Sequence, residues 1–486
     1  MTIFAVNFFI PFSMRKILFC LMMVLLAFCS TGQMKVGYEI TVNISGLQDS
    51  TIFLAYHLGD KQFISDTVKL DNKGTAVFTG SENLPQGIYM IVLPGKQYFE
   101  VLMSEDQHFA VSCAFNDYIN TLKFSGSDEN SDFVIYQKKW IGMQKKASGI
   151  NKRLQSNKQN PDSLKILTDA QKEQEKNMKL YLHEVINENK GNLLSVLVKA
   201  MLPVEIPDIS VPQGTRNPDS TKWVLTYNYN KNHFFDNIDI TDERLLRTPI
   251  LQAKLKTYFG NVLLQSPDTI SKEIDKLISK VEGNYKIFQF VSVFLYNHFR
   301  ESEIMGHDAI IVKLADDIYL TDKADWVSKD FKDDLKKEVD RMRPNLIGQK
   351  AQDLIMDSYK EMFVSLYDIE KEFTILYFWE PDCGFCKEST PKLKAFYDKA
   401  KSQGIEVFSV CTTSDKAKWK KYIEDNQLDW INGWDPDRRT NFGFYYNIES
   451  TPMIYILDRN KVIIAKKLSV DDIPSFIDTY RKYFNK

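Results

Sequence analysis

Cys383 and Cys386 stand two residues apart in the stretch Trp379-Glu380-Pro381-Asp382-Cys383-Gly384-Phe385-Cys386. Sulfurs at that spacing can close and reopen a disulfide, or they can supply half of a zinc site. The apolar run Phe373–Trp379 ahead of them reads as a buried parallel strand, and helical spacing follows them. A strand-to-helix junction sets the first sulfur at a helix N-terminus, where unpaired N–H groups and partial positive charge favour a thiolate. The second sulfur then lies one turn on, near enough to resolve a mixed disulfide. Cys383 is therefore the expected nucleophile and Cys386 the expected resolving thiol. Zinc would need two more Cys or His ligands. No histidine follows His307 and Cys411 is the only other thiol in this part of the chain, so no metal is expected. A peroxidatic cysteine would want Thr or Ser three residues upstream, and Glu380 occupies that place.

The elements that must hold this pair belong to a chain of 486 residues, about three domains' worth at roughly 150 residues each. Lys+Arg 62 against Asp+Glu 64 leaves a net charge of -2, which offers no electrostatic footprint for nucleic acid. Apolar residues at 44% exclude a disordered chain, and 6 cysteines exclude a disulfide-dense scaffold. Near the start, Met14-Arg15-Lys16 precedes the apolar run Ile17 to Cys29 and then Ser30-Thr31-Gly32. A basic segment, an apolar run too short to cross about 30 Å of hydrocarbon, and small residues read as a signal peptide over 1–32, cut before Gln33. Met14 is a candidate start, and Cys29 is a candidate lipid-acylation site. The expected location is the periplasm or outer cell envelope, with a lipid anchor at Cys29 as the variant of that reading. Without the leader, the cysteines that remain are Cys113, Cys383, Cys386 and Cys411.

Three zones follow. Residues 33–127 alternate with period two over Tyr38–Ile44, Thr51–Tyr56, Thr75–Phe78 and Gly87–Leu93, with turn signals such as Asp71-Asn72-Lys73-Gly74 between them. Such short strands predict an all-β sandwich-like domain. Residues 128–344 take helical spacing, as in Leu164, Leu167, Met178, Tyr181, Leu182 and Val185, and predict an α-helical middle domain. Further runs are expected over Trp223–Phe235, Arg244–Leu264, Ile270–Val281, Ile287–Phe299 and Lys329–Met342. His183, His233, His298 and His307 there lack ligand spacing, and the zone carries no chemical motif. Residues 345–486 alternate β and α segments, with strands expected at Phe373–Trp379, Glu406–Val410, Met453–Leu457 and Val462–Lys466, and so predict an α/β fold around a central sheet.

Phe378-Trp379, Cys383-Gly384-Phe385-Cys386 and, far downstream, Thr451-Pro452 occur in one order. Together they resemble thioredoxin-like thiol–disulfide oxidoreductases of the secreted TlpA/ResA type, and Asn345 to Ala351 looks like that family's entry segment. The β-rich zone, with its Ile44-Ser45-Gly46-Leu47 opening, resembles the domain of unknown function that precedes thioredoxin modules in secreted Bacteroides-type proteins. The resemblance covers about 140 residues and implies a thioredoxin-like fold for 345–486. It also implies a cis Thr451-Pro452 bond against the cysteine pair and substrate contact by Thr451, Pro452 and Trp379. A disulfide-containing protein substrate and a membrane-bound thiol donor are its implied partners, with no organic cofactor. Asp382 and Glu380 are the candidate pKa-tuning residues. A carboxylate beside Cys383 is expected to raise the thiol pKa and favour a reducing couple. Tyr377 stands where thioredoxin keeps a buried acid, and Glu380 or Glu388 would have to replace it as proton acceptor.

Two functions follow from these residues. One is an exported enzyme that reduces or exchanges protein disulfides. The other is a non-catalytic periplasmic or cell-surface adaptor that keeps the thioredoxin fold as a scaffold.

Overall fold

A computed structural model describes residues 36–360 and 362–484. The signal-peptide and acylation expectations, with Cys20 and Cys29, lie outside the described residues. The chain forms two compact units that meet in sequence at residues 253 and 254, so the helices of 128–344 are shared between them.

In the first unit, alternation of apolar and polar residues places one face of each strand inward. β1 (Tyr38–Ser45) buries Ile40, Val42 and Ile44, and β2 (Thr51–Leu58) buries Ile52 and Leu54. With β3 (Lys61–Lys69), β4 (Thr75–Gly80), β5 (Gly87–Val92), β6 (Tyr98–Met103), β7 (His108–Ala114) and β8 (Lys123–Ser125) they build two sheets, ordered β4-β1-β7-β8 and β3-β2-β5-β6. The inward residues of both sheets share one core. The turn before β4 needs its glycine. Gly74 has φ 77°, a Cβ there would come 2.3 Å from the Ile44 carbonyl, and the Asp71 carboxylate accepts from the Lys73 and Thr75 N–H groups. Cys113 is buried on β7, where desolvation pushes its pKa up to about 11 and keeps it a thiol. The unit continues into α1 (Asp128–Ser156), α2 (Pro161–Glu188), α3 (Leu193–Met201) and α4 (Pro218–His233).

One helix expected from spacing, Arg244–Leu264, is instead broken. A 3-10 turn over Glu243–Arg247 ends at Thr248, which is extended at φ -140°, ψ 157°. Pro249 follows, and a residue before proline is driven out of helical geometry.

The second unit carries, before its sheet, the helices α5 (Pro267–Val281), α6 (Tyr285–Arg300), α7 (Asp308–Leu314) and α8 (Lys329–Met342). A mixed sheet of β9 (Ile355–Ser358), β10 (Phe363–Ser365), β11 (Phe373–Trp379), β12 (Ile405–Cys411), β13 (Ile431–Trp434), β14 (Met453–Asp458) and β15 (Ile463–Lys466) follows, in the order β10-β9-β13-β12-β11-β14-β15. β11 lies near the middle, parallel to β12 and antiparallel to β14, and every one of its residues is buried. Covered on both faces, it reads as an unbroken apolar run. Phe373, Ile375, Tyr377 and Trp379 pack on the side of α9 (Gly384–Ala400), with Leu393 and Tyr397. Leu376 and Phe378 face the opposite core with Tyr446 and Tyr455. α10 (Lys416–Asp425) and α11 (Ile473–Phe484) complete the layers. This is an N-terminal β domain, a helical middle and a C-terminal α/β thioredoxin-like fold.

Candidate active site

β11 ends at Trp379, and α9 begins at Gly384 with Cys383 as its N-cap. An N-cap acceptor satisfies one of the N–H groups that a helix start leaves unpaired, and here the acceptor is a sulfur. The Cys386 N–H donates to Cys383 Sγ at 3.2 Å. From the other side the Thr451 carbonyl lies 3.2 Å from the same sulfur and accepts its S–H. The Thr451–Pro452 bond is cis and leads directly into β14, the strand beside β11. The chain therefore brings together residues 68 positions apart, Cys383 and Thr451, at one sulfur atom.

The two thiols differ in environment. Cys383 is half-buried, Cys386 is 0% exposed, and both are free thiols. Burial opposes ionisation of Cys383, but hydrogen bonds from the Cys386 thiol, the Thr451 side chain and the Cys386 and Phe385 backbone N–H groups outweigh it and hold its pKa below the ordinary thiol value. Burial pushes Cys386 up, and its hydrogen bond to Cys383 adds to that. One thiolate at the helix terminus thus shares the proton of the deeper sulfur, as a nucleophile and its resolving partner require.

Several expected roles are corrected here. Trp379 does not reach a substrate through its side chain: it is 0% exposed, and its ring packs on Tyr422 with centroids 4.7 Å apart. Strand alternation turns it under α9 rather than outward. Phe385, between the two cysteines, is 74% exposed. The Cys383 pKa is lowered rather than raised, despite the neighbouring Asp382. Its carboxylate turns to Lys418 Nζ on α10 at 2.6 Å, and that hydrogen bond holds Asp382 below the usual carboxylate range. The sequence basis for a reducing couple is thereby removed. Glu380 acts on the pair through its backbone: its carbonyl accepts the Cys383 N–H at 3.2 Å, and a backbone hydrogen bond favours the Cys386 thiolate.

Under Cys386 the place of a buried acid is filled by hydroxyls. Tyr377 Oη and Thr390 Oγ1 are 2.9 Å apart, both fully buried, and Tyr422 hydrogen-bonds the same Thr390. Burial raises the pKa of both tyrosines, so they remain neutral. Thr390 and Tyr422 are absent from the sequence-based site. Thr390 had one available signal, its position four residues after Cys386 on the same helix face. Cys411 ends β12 as a buried thiol with a pKa pushed up to about 12 by desolvation. Among the described residues, no group of three or more His, Cys, Asp or Glu side chains could hold a metal ion. No described helix is long and apolar enough to cross a membrane.

Residues 347–466, which span β9 through β15 with both cysteines and the Thr451–Pro452 turn, match the model of the AhpC/TSA family. A domain of a possible thiol-disulfide isomerase from Cytophaga hutchinsonii is 35% identical; the match covers 96% of that domain and 29% of this chain, with a TM-score of 0.28. The chain belongs, through its C-terminal segment, to the thioredoxin-like AhpC/TSA family. The thioredoxin domain of a thiol-disulfide oxidoreductase from Bacteroides vulgatus is 27% identical, covered over 96% of its length and 28% of this chain, with a TM-score of 0.27. A thioredoxin-like protein from Bacteroides caccae is 19% identical, covered over 99% of its length and 58% of this chain, with a TM-score of 0.44. Residues 38–133 and 167–345 match two domains of unknown function, DUF4369 and DUF5106. No curated protein matches the chain.

Proposed function

We propose that this protein is an exported thiol–disulfide oxidoreductase that reduces or exchanges disulfides of protein clients. The observation that carries the reading is the half-exposed Cys383 sulfur, which caps a helix N-terminus and touches the Thr451 carbonyl. The Cys383 thiolate attacks one sulfur of a client disulfide and expels the other as a thiolate. Cys386 gives up its proton and attacks Cys383 Sγ. The second client sulfur leaves and takes up a proton, and the Cys383–Cys386 bond closes, so two electrons pass from the pair to the client. Thr451 and Pro452 hold the client backbone, and the exposed ring of Phe385 offers it apolar contact. An environment that favours the thiolate stabilises the dithiol form, so the partner couples set the direction of electron flow. A membrane-bound thiol donor would return the electrons when the protein acts as a reductant. Export rests on Met14-Arg15-Lys16 and the apolar run that follows.

The test is reduction of insulin by the full chain with dithiothreitol as donor. Faster precipitation of the insulin B chain than with dithiothreitol alone is the expected result. A rate equal to dithiothreitol alone would leave the adaptor reading in its place. The isolated 345–486 segment is not the right material, because Lys466 within it pairs with Asp308 outside it.

A further inference from the structure

Lys466, the last residue of β15, is 3% exposed, and its ammonium is fully engaged. Nζ pairs with the Asp308 carboxylate at the start of α7, and it donates to the Asn345 carbonyl at 2.8 Å and to Asn345 Oδ1 at 3.0 Å. The Lys466 N–H also donates to Met305 Sδ at 3.3 Å. Asn345, 2% exposed, passes the connection on: its Nδ2 donates to the Tyr445 carbonyl at 3.1 Å. The next carbonyl, that of Tyr446, accepts the Tyr455 hydroxyl at 2.5 Å, and Tyr455 lies opposite Lys466 in the β14–β15 ladder. Two consecutive carbonyls are thus pinned where the chain enters the segment 447–451, whose last carbonyl meets Cys383 Sγ.

Stability alone does not account for a buried ion pair here. Well-packed apolar residues of similar volume commonly serve as well or better, because desolvation of two charges offsets most of their attraction. What charges add is direction. An ammonium with three donors fixes an amide side chain in one orientation, and that amide fixes a backbone carbonyl.

We infer that Asp308, Lys466 and Asn345 are positioning residues for the client-binding turn, which makes the helical segment that carries Asp308 a working part of the redox site. The inference rests on the proposed oxidoreductase reading. It also assigns a role to helices in which the sequence shows no chemistry: α7 supplies the anion that orients the far end of the Thr451 segment.

Single variants at Asp308 or Lys466 leave one charge buried and unpaired, so the test uses the paired replacement Asp308→Leu with Lys466→Met in the full chain, alongside Asn345→Ala. Asn345→Ala keeps the ion pair and the Asn345 backbone acceptor and removes the side-chain links to the Tyr445 and Arg341 carbonyls and to Lys466 Nζ. The readouts are kcat and KM with insulin and the rate with a small aryl disulfide, which needs no backbone pairing. Misplacing the turn should raise KM for insulin about 10-fold, with a smaller change in the aryl disulfide rate. An unchanged insulin KM in either folded variant would overturn the inference, as would a parallel fall in both rates. Wild-type protein inactive on both substrates would instead remove the oxidoreductase reading itself.

Discussion

Cys383→Ser is expected to abolish disulfide exchange, whereas Cys386→Ser is expected to leave the protein covalently joined to its clients. The difference follows from the positions of the two sulfurs. Cys383 carries the hydrogen bonds that stabilise a thiolate and is the thiol with solvent access, so its removal leaves no attacking group. Cys386 is buried one helical turn deeper, and its pKa is raised, so it does not take over the attack. Its role comes second, in the release of the mixed disulfide. Incubation of each variant with oxidised insulin, followed by acid quenching and non-reducing mass analysis, checks both expectations. An adduct with Cys386→Ser and none with Cys383→Ser is the expected pattern. The reverse pattern would exchange the two roles.

Trp379→Ala is expected to cost about 3–5 kcal/mol of stability, the range for truncating a fully buried aromatic side chain. Its ring is 0% exposed and fills the space between β11, Tyr422 and the Cys383 turn. Phe385→Ala, by contrast, removes a ring that is 74% exposed and is expected to leave the urea midpoint nearly unchanged. Urea unfolding of the two variants separates a core residue from a surface residue. Equal midpoints would mean that Trp379 is not the support that its burial indicates.

Much of this architecture was legible because its signals are local. Alternation in Tyr38–Ser45 and the unbroken apolar run Phe373–Trp379 each report how many faces of a strand are covered. The spacing of Cys383 and Cys386 at the end of such a run was sufficient to place both sulfurs on one helix terminus. What sequence could not supply was side-chain direction. Asp382 precedes Cys383, yet its carboxylate is taken by Lys418, 36 residues on. Trp379 belongs to the motif, yet the pleat turns it inward. Arg244–Leu264 kept a helical period, but Pro249 broke it. The hydroxyl set of Tyr377, Thr390 and Tyr422, and the connection from Asp308 through Lys466 to Asn345, join residues whose proximity exists only after folding.

The most direct test of the central claim, that a helix terminus makes Cys383 and not Cys386 the attacking sulfur, is the pH dependence of alkylation resolved by cysteine. Reduced full-length protein is exposed briefly to iodoacetamide across pH 5 to 10, and the labelled peptides are quantified by mass. The account predicts that Cys383 is labelled with a midpoint below that of a free cysteine peptide measured alongside, while Cys113, Cys386 and Cys411 stay unlabelled in the folded protein. Labelling of Cys386 ahead of Cys383, or a Cys383 midpoint at or above that value, would contradict it.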